Sequence, residues 1–282
     1  MADTIKIRPI SGFVGAEIHG VDLNVLEPRA LVKIRAAFIE HQVLFFPDQR
    51  LTADAFYRFA THWGEVEPLK PGMPTAQHPN VLLVESKDGG GPGKFNDIWH
   101  SDLSFHGFPP SVTALQAVTV PPQGGDTVFA GMYAAYDSLS APLRALADNL
   151  ETVHDGLPSF TTYLMDPSVH DGKGRLNRLR STNTISTHPM VRRHPESGRK
   201  SLYINRTFTT RVLGLSEIES RNLLNLLLEH AEQPSFQMRW RWREGDVGLW
   251  DNRCVLHYAA KDYGRAHRVM RRITLKGDKP FA

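Results

Sequence analysis

Near its C-terminal end the chain runs "FQMRWRW", "DVGLW", "VLHYA" and "RVMRRITLKG" in succession, four strand-like segments parted only by turn residues. Strands that follow one another without intervening helices favour a β-sandwich or jelly roll over a βαβ fold. The same signal recurs upstream. "SVTALQAVTV" (Ser111 to Val120) alternates apolar and small polar residues and stops at Pro121 and Pro122, which cannot donate to a ladder. "HPMVRRHPESGRKSLYIN" reads as two strands around a "PESGR" turn, and "QVLFF" (Gln42 to Phe46) as a buried strand.

Helical patterns cluster at the front and middle of the chain. Leu31, Ile34 and Phe38 share one face between Glu27 and His41, "ADAFYRFATHW" predicts a second helix, and Leu143, Leu146 and Leu150 a third. The clearest start signal is Ser216 with Glu219 three residues later, a capping box before the Leu-rich run "NLLNLLLEHA". The expected architecture is therefore mainly β with flanking helices. No repeat, low-complexity tract or Gly/Ser linker marks a boundary, so one domain over residues 1–282 is expected.

Charge narrows the function. The 33 basic and 30 acidic residues are interspersed, which leaves no basic stripe of the kind that binds nucleic acid or a membrane surface. A single cysteine, Cys254, excludes an internal disulfide framework and suits a reducing compartment; with no apolar leader or spanning run, a cytoplasmic protein is expected. Cys254 itself reads as a small buried apolar residue.

In "DIWHSDLSFHG", His100 and Asp102 stand two apart, so on an extended segment both side chains point the same way. A lone His-x-Asp is common by chance. The third candidate, His257 in "LWDNRCVLHYA", completes two histidines and one carboxylate, the set used by non-haem Fe(II) oxygenases with open positions for substrate and dioxygen. Zinc accepts the same ligands, and spacing alone leaves both metals open.

In "RVMRRITL", Arg268 and Arg272 have the same parity and Arg271 the opposite one. Two guanidiniums on an inner face are costly unless each meets an anion. A carboxylate cosubstrate plus an anionic substrate would meet that need; pairing with protein carboxylates is the plainer alternative. Trp240 and Trp242 alternate with Arg239, Arg241 and Arg243, which gives one aromatic and one solvated face; Trp99 and Trp250 are expected to pack around the site, and the remaining histidines, including His106 and His154, to lie at the surface or behind it.

At these residues the chain resembles the taurine dioxygenase and 2,4-D dioxygenase family of Fe(II)/2-oxoglutarate-dependent oxygenases. The resemblance runs from "GAEIHGVDL" and "HQVLFFPDQ" through "WHSDLSF", "GGDTVFAGMYAAYDSLS" and "FTTRV" to "RWREGDVGLWDNRCVLHYA" and "RVMRRITLKGDKPF". It implies a double-stranded β-helix (jelly roll) and a dioxygenase with Fe(II) held by His100, Asp102 and His257. It also implies dioxygen and 2-oxoglutarate as cosubstrates, the distal carboxylate of the latter bound by Arg268 and Thr127 and its other end chelating the metal. Asn96, Ser159, Phe160, Phe208 and Arg272 match positions lining the substrate pocket, Arg272 at the sulfonate.

The implied reaction is hydroxylation of a small anionic molecule, foremost a sulfonate, with release of sulfite and an aldehyde. Alkyl sulfate esters and aryloxyalkanoates are the alternatives within the family, and a zinc hydrolase or a non-catalytic jelly-roll binding protein those outside it. Family members also form dimers or tetramers. Two departures bear on the substrate: Leu69 and Lys70 stand where the family has a sulfonate-binding histidine, and Phe95 where an acidic residue would hold the taurine amine. A pocket that gains a phenyl ring and loses a carboxylate suits an apolar body better than an ammonium group.

Overall fold

The computed structural model describes residues 5–70, 73–87, 97–165, 171–182 and 185–282. Its elements begin with β1 (Lys6–Pro9), β2 (Ala16–His19), α1 (Pro28–His41), β3 (Val43–Phe46), α2 (Ala53–Thr61), β4 (Leu82–Ser86) and β5 (Val112–Thr119). Then come β6 (Thr127–Gly131), α3 (Met132–Asp137), α4 (Ala141–Ala147), β7 (Glu151–His154), α5 (Leu157–Leu164), α6 (Gly172–Thr182), β8 (Ser186–Pro189), β9 (Val191–Arg193) and β10 (Lys200–Leu202). The chain closes with β11 (Thr209–Val212), α7 (Glu217–Ala231), β12 (Gln237–Trp240), β13 (Val247–Asp251), β14 (Val255–Ala259) and β15 (Arg268–Thr274).

Two sheets carry the architecture. A seven-stranded sheet has the order β1-β2-β3-β13-β5-β15-β4, and a three-stranded sheet the order β12-β6-β14. Alternation along each strand assigns the faces. Leu115 and Ala117 of β5, Trp250 of β13 and Met270 of β15 meet Phe129 of β6, Trp240 of β12 and Val255 of β14 in one buried cluster between the sheets. The opposite parity, with Val112, Ala114, Leu249 and Ile273, packs outward on Ile34 and Phe38 of α1 and on Phe56 and Phe59 of α2. Beyond the smaller sheet, Ala130 and Leu256 pack against Ala135 of α3 and Leu224 and Leu227 of α7. This layering, helices outside two facing sheets, is the jelly roll expected from the strand pattern.

The large sheet is covered on both sides, which is why β5 is buried at six successive residues although its sequence alternates. Polar residues at its inner positions must therefore find partners, and Thr113 does so in the site described below.

Local signals set the element ends. Pro28 opens α1 with its φ already helical, and Gln42 closes it at φ 64° with its N–H on the Phe38 carbonyl. Gln42 is thus a cap, and the strand it was expected to begin starts one residue later. At α7 both halves of the Ser216–Glu219 capping box form. The helix expected over Leu143, Leu146 and Leu150 is shorter: α4 stops at Ala147, and Leu146 is 43% exposed, so only part of that spacing reflects burial. Around the "PESGR" turn, β9 and β10 pair as expected, while Ser186–Pro189 forms a separate strand on β7. Among the described residues no helix is long and apolar enough to cross a membrane.

Candidate active site

His257 lies on β14 with the parity of Val255, so its ring points between the sheets and lies against Trp250 and Phe129. His100 reaches the same place by an isolated antiparallel bridge. Its N–H donates to the His257 carbonyl at 3.1 Å and its carbonyl accepts the His257 N–H at 2.8 Å, which sets the two rings 4.1 Å apart. Asp102 follows, and the chain then turns at Leu103, whose φ is 45°. The shared direction of His100 and Asp102 thus comes from one bridge and a turn rather than from the extended segment expected.

All three side chains are buried, and each offers a ligand atom within 4.8 Å of the other two. The Asp102 Oδ1 lies 3.6 Å from His257 Nε2 and 3.9 Å from His100 Nε2. Two ligands at about 2.1 Å from one ion are about 3.0 Å apart at right angles and about 4.2 Å apart when opposed, so these separations suit a shared ion. The protonation pattern suits it as well. His100 Nδ1 is 2.7 Å from the Ile98 carbonyl, which can only accept, so Nδ1 carries the proton and Nε2 keeps its lone pair. Burial lowers the pKa of both imidazoles, with Arg272 adding to the effect at each and His100 adding to it at His257, while Asp102 opposes it at both and the Ile98 carbonyl at His100; the outcome keeps them neutral and able to ligate. Burial opposes ionisation of Asp102, but Arg272 foremost, then His257, His100 and the Thr113 hydroxyl outweigh it and hold the carboxyl well below its ordinary range. Two neutral imidazoles and one carboxylate therefore face one point.

Arg268 and Arg272 of β15 have the parity of Met270, so both point inward, while Arg271 points the other way to the Leu51 carbonyl. Arg272 forms an ion pair through Nη2 with Asp102 Oδ2 at 2.6 Å, and its Nε is buried without a hydrogen-bond partner among the described residues. For this residue the plainer expectation, pairing with a protein carboxylate, holds in part. Arg268 differs. It is 9% exposed, forms no salt bridge among the described residues, and leaves Nε without a partner. Burial pulls its pKa down, with only Tyr263 and Asp126 acting in opposition. Gly125 lies against it, and a Cβ there would sit 3.3 Å from Arg268 Nε. The Thr127 hydroxyl, on the inner face of β6, accepts the Trp242 indole N–H at 2.9 Å and keeps its own proton to donate.

The other expected pocket residues are dispersed in character. Phe208 and Phe160 meet through Phe105, with ring centroids 5.0 and 5.7 Å from it. Ser159 donates its hydroxyl proton to the Thr207 carbonyl at 2.5 Å, so it does not offer a free donor. Asn96 and Phe95 lie outside the described residues. Lys70 is exposed, and its charge reinforces the burial that lowers the pKa of His106.

The sequence reading missed Phe105, Thr113 and Asn252. Of the two places expected for His154, the surface is excluded, since it is completely buried and hydrogen-bonded to Ser104. His194, another of the remaining histidines, meets Asp251 and Cys254 in a second cluster of ligand-type residues. Here the hydrogen bonds exclude ligation. His194 Nδ1 accepts the N–H groups of Glu196 and Ser197, so Nε2 carries the proton and donates it to Asp251 Oδ2 at 2.9 Å. Arg253 occupies both oxygens of Asp251, and burial keeps the Cys254 thiol protonated. A groove of about 640 Å³ between β11 and α7 shares no residue with the triad or the inner arginines.

The chain matches the family model described as taurine catabolism dioxygenase TauD, TfdA family, over residues 6–274. It is 36% identical over 280 residues to an alpha-ketoglutarate-dependent sulfate ester dioxygenase of Pseudomonas putida, covering 98% of this chain and 91% of that one. It is 33% identical over 291 residues to the alpha-ketoglutarate-dependent 2,4-dichlorophenoxyacetate dioxygenase of Cupriavidus pinatubonensis, covering 98% and 99%. In structure it superposes on AAD-2 in complex with Mn(II) and N-oxalylglycine with a TM-score of 0.81 and 31% identity, covering 99% of this chain and all of that one.

Proposed function

The chain belongs to the TauD, TfdA dioxygenase family and is a 2-oxoglutarate-dependent dioxygenase, and from that premise we propose that it oxidises a small sulfate ester or sulfonate with an apolar body. The observation that carries this reading is the pair of inward arginines flanking one triad: Arg268 is buried with no carboxylate partner among the described residues, and Arg272, half-buried and paired through one nitrogen with Asp102, keeps a buried Nε without a partner. His100, Asp102 and His257 are assigned to Fe(II), which suits their neutral imidazoles and ionised carboxylate. When bound, Fe(II) with 2-oxoglutarate and dioxygen supplies the oxidant that hydroxylates a C–H bond and leaves succinate and carbon dioxide.

The residues supply position. Arg268 offers its unpaired edge, and Thr127 its free proton, to the distal carboxylate of 2-oxoglutarate. Arg272 keeps one nitrogen on Asp102 and presents Nε to the anionic head of the substrate, so the carbon next to that head lies beside the triad. Phe105, Phe160 and Phe208 exclude water and take the apolar body. Hydroxylation of the carbon bearing a sulfate or sulfonate group gives an adduct that collapses to an aldehyde, releasing sulfate or sulfite. The similarity to a sulfate ester dioxygenase supports the sulfate ester, and the loss of the acidic residue at Phe95 speaks against the taurine ammonium.

The test is succinate release with Fe(II), ascorbate and oxygen across alkyl sulfates, alkylsulfonates, taurine and aryloxyalkanoates. Turnover coupled to aldehyde and sulfate or sulfite supports the proposal. Coupled turnover only with aryloxyalkanoates or taurine would overturn it.

A further inference from the structure

Each carboxylate oxygen of Asp102 has a different neighbourhood. Oδ2 accepts the Thr113 hydroxyl at 2.7 Å and forms an ion pair with Arg272 Nη2 at 2.6 Å, whereas Oδ1 faces the two imidazoles with no N–H or O–H donor bonded to it among the described residues. The hydroxyl donor on Oδ2 is itself directed. Asn252, in the turn between β13 and β14, has its Oδ1 occupied by the Trp250 indole N–H at 3.1 Å and by the Asp102 backbone N–H at 3.4 Å. That fixes the amide orientation and turns Nδ2 toward Thr113, to whose oxygen it donates at 2.9 Å. A hydroxyl that accepts from Asn252 must spend its own proton elsewhere, and Asp102 Oδ2 is where it points. Asn252 and Thr113 are 1% and 0% exposed, so water does not compete.

We propose that Asn252 and Thr113 form a one-way hydrogen-bond relay that makes Asp102 a one-oxygen metal ligand, engaging Oδ2 so that only Oδ1 faces the ion. Both are positioning residues, acting through Asp102. Their role is also separate from Arg272, which reaches the same oxygen from β15. The inference rests on the assignment of the triad to the metal, and its test distinguishes the two. Outer partners of this kind typically change metal affinity by about tenfold to a hundredfold.

The measurement is the affinity for Mn(II) alone, by calorimetry in the absence of cosubstrate and oxygen chemistry, for the wild type, His100→Ala, Thr113→Val, Thr113→Ser and Asn252→Asp. Each variant is first checked for the wild-type metal-free melting temperature. Thr113→Val keeps the shape and loses the donor, so it is expected to weaken Mn(II) at least tenfold, and Thr113→Ser to restore it. Asn252→Asp replaces the directing donor with an acceptor, draws the Thr113 proton away from Asp102, and is expected to weaken Mn(II) with Thr113 still in place. Should His100→Ala bind as the wild type does, both the triad and the relay fall. If His100→Ala abolishes binding while folded Thr113→Val binds within about twofold of the wild type, the relay alone is overturned. If only Thr113→Val is weakened and Asn252→Asp folds and binds normally, the directing role of Asn252 is overturned.

Discussion

Two buried histidines should make this protein sensitive to mild acid. His154 and His188 are 0% and 1% exposed, with ring centroids 5.1 Å apart. Burial, reinforced by His188, pushes His154 down to about 3; burial, with Arg192 and Lys279 adding and the carbonyls of Ser104 and His106 opposing, pushes His188 down to about 4. Unfolded, both titrate near about 6.5. Above that pH neither state binds the protons, and the stability contribution is whole. As pH falls below it the unfolded chain takes up two protons that the folded chain refuses, so stability drops until the folded values are reached. At about pH 5 the gap is about 1.5 units for each ring, and at about 1.4 kcal/mol per unit the pair costs about 4 kcal/mol. Urea unfolding of the wild type and of a His154→Gln/His188→Gln double variant, each at about pH 7 and about pH 5, isolates that slope from any change in overall stability. An equal pH dependence in both proteins would refute the reasoning, because the rings would then titrate alike in folded and unfolded chains.

Three further outcomes are expected. Arg268→Ala should raise the 2-oxoglutarate KM by at least tenfold while leaving Mn(II) affinity within about twofold, since this guanidinium, proposed to hold the cosubstrate, has no carboxylate partner among the described residues; parallel calorimetry and kinetics check it. Gly156→Ala would place a Cβ 2.9 Å from the Phe105 ring, so it should cost about 1–3 kcal/mol in urea unfolding and weaken substrates with the bulkiest apolar body most. Ser216→Ala removes one half of the α7 capping box, far in sequence from the site, and should lower stability by about 1 kcal/mol with kcat/KM unchanged, as thermal melts and steady-state kinetics would show.

Much of this was legible in the chain because periodicity is written residue by residue. Parity put Arg268 and Arg272 on one face and Arg271 on the other, and the structure keeps that division around Met270. The capping box at Ser216 and the strands of the C-terminal region needed only local chemistry. What stayed hidden depends on distant pairing. Thr113 and Asn252 are 139 residues apart, and nothing near either shows that β5 and β13 lie side by side and bring them into hydrogen-bond contact. His154 looked like one histidine among 13, since its burial comes from Ser104, His188 and Tyr203 on other segments. The alternation in β5 marks a strand and carries no sign that both its faces are covered, which comes from the helices laid over the large sheet.

The reciprocal backbone bridge between His100 and His257 separates chemistry from recognition. The spacing of those imidazoles is inherited from main-chain pairing, as the rungs of a ladder are spaced by its rails. The rings proposed to take the substrate body sit on other segments, Phe160 on α5 and Phe208 just before β11. Mutation can therefore reshape the lining without detuning the oxidant, and a lineage can drift from one anionic nutrient or xenobiotic to another in small steps. Family members that act on sulfate esters and on chlorinated aryloxy acids are what such a division of labour would leave behind.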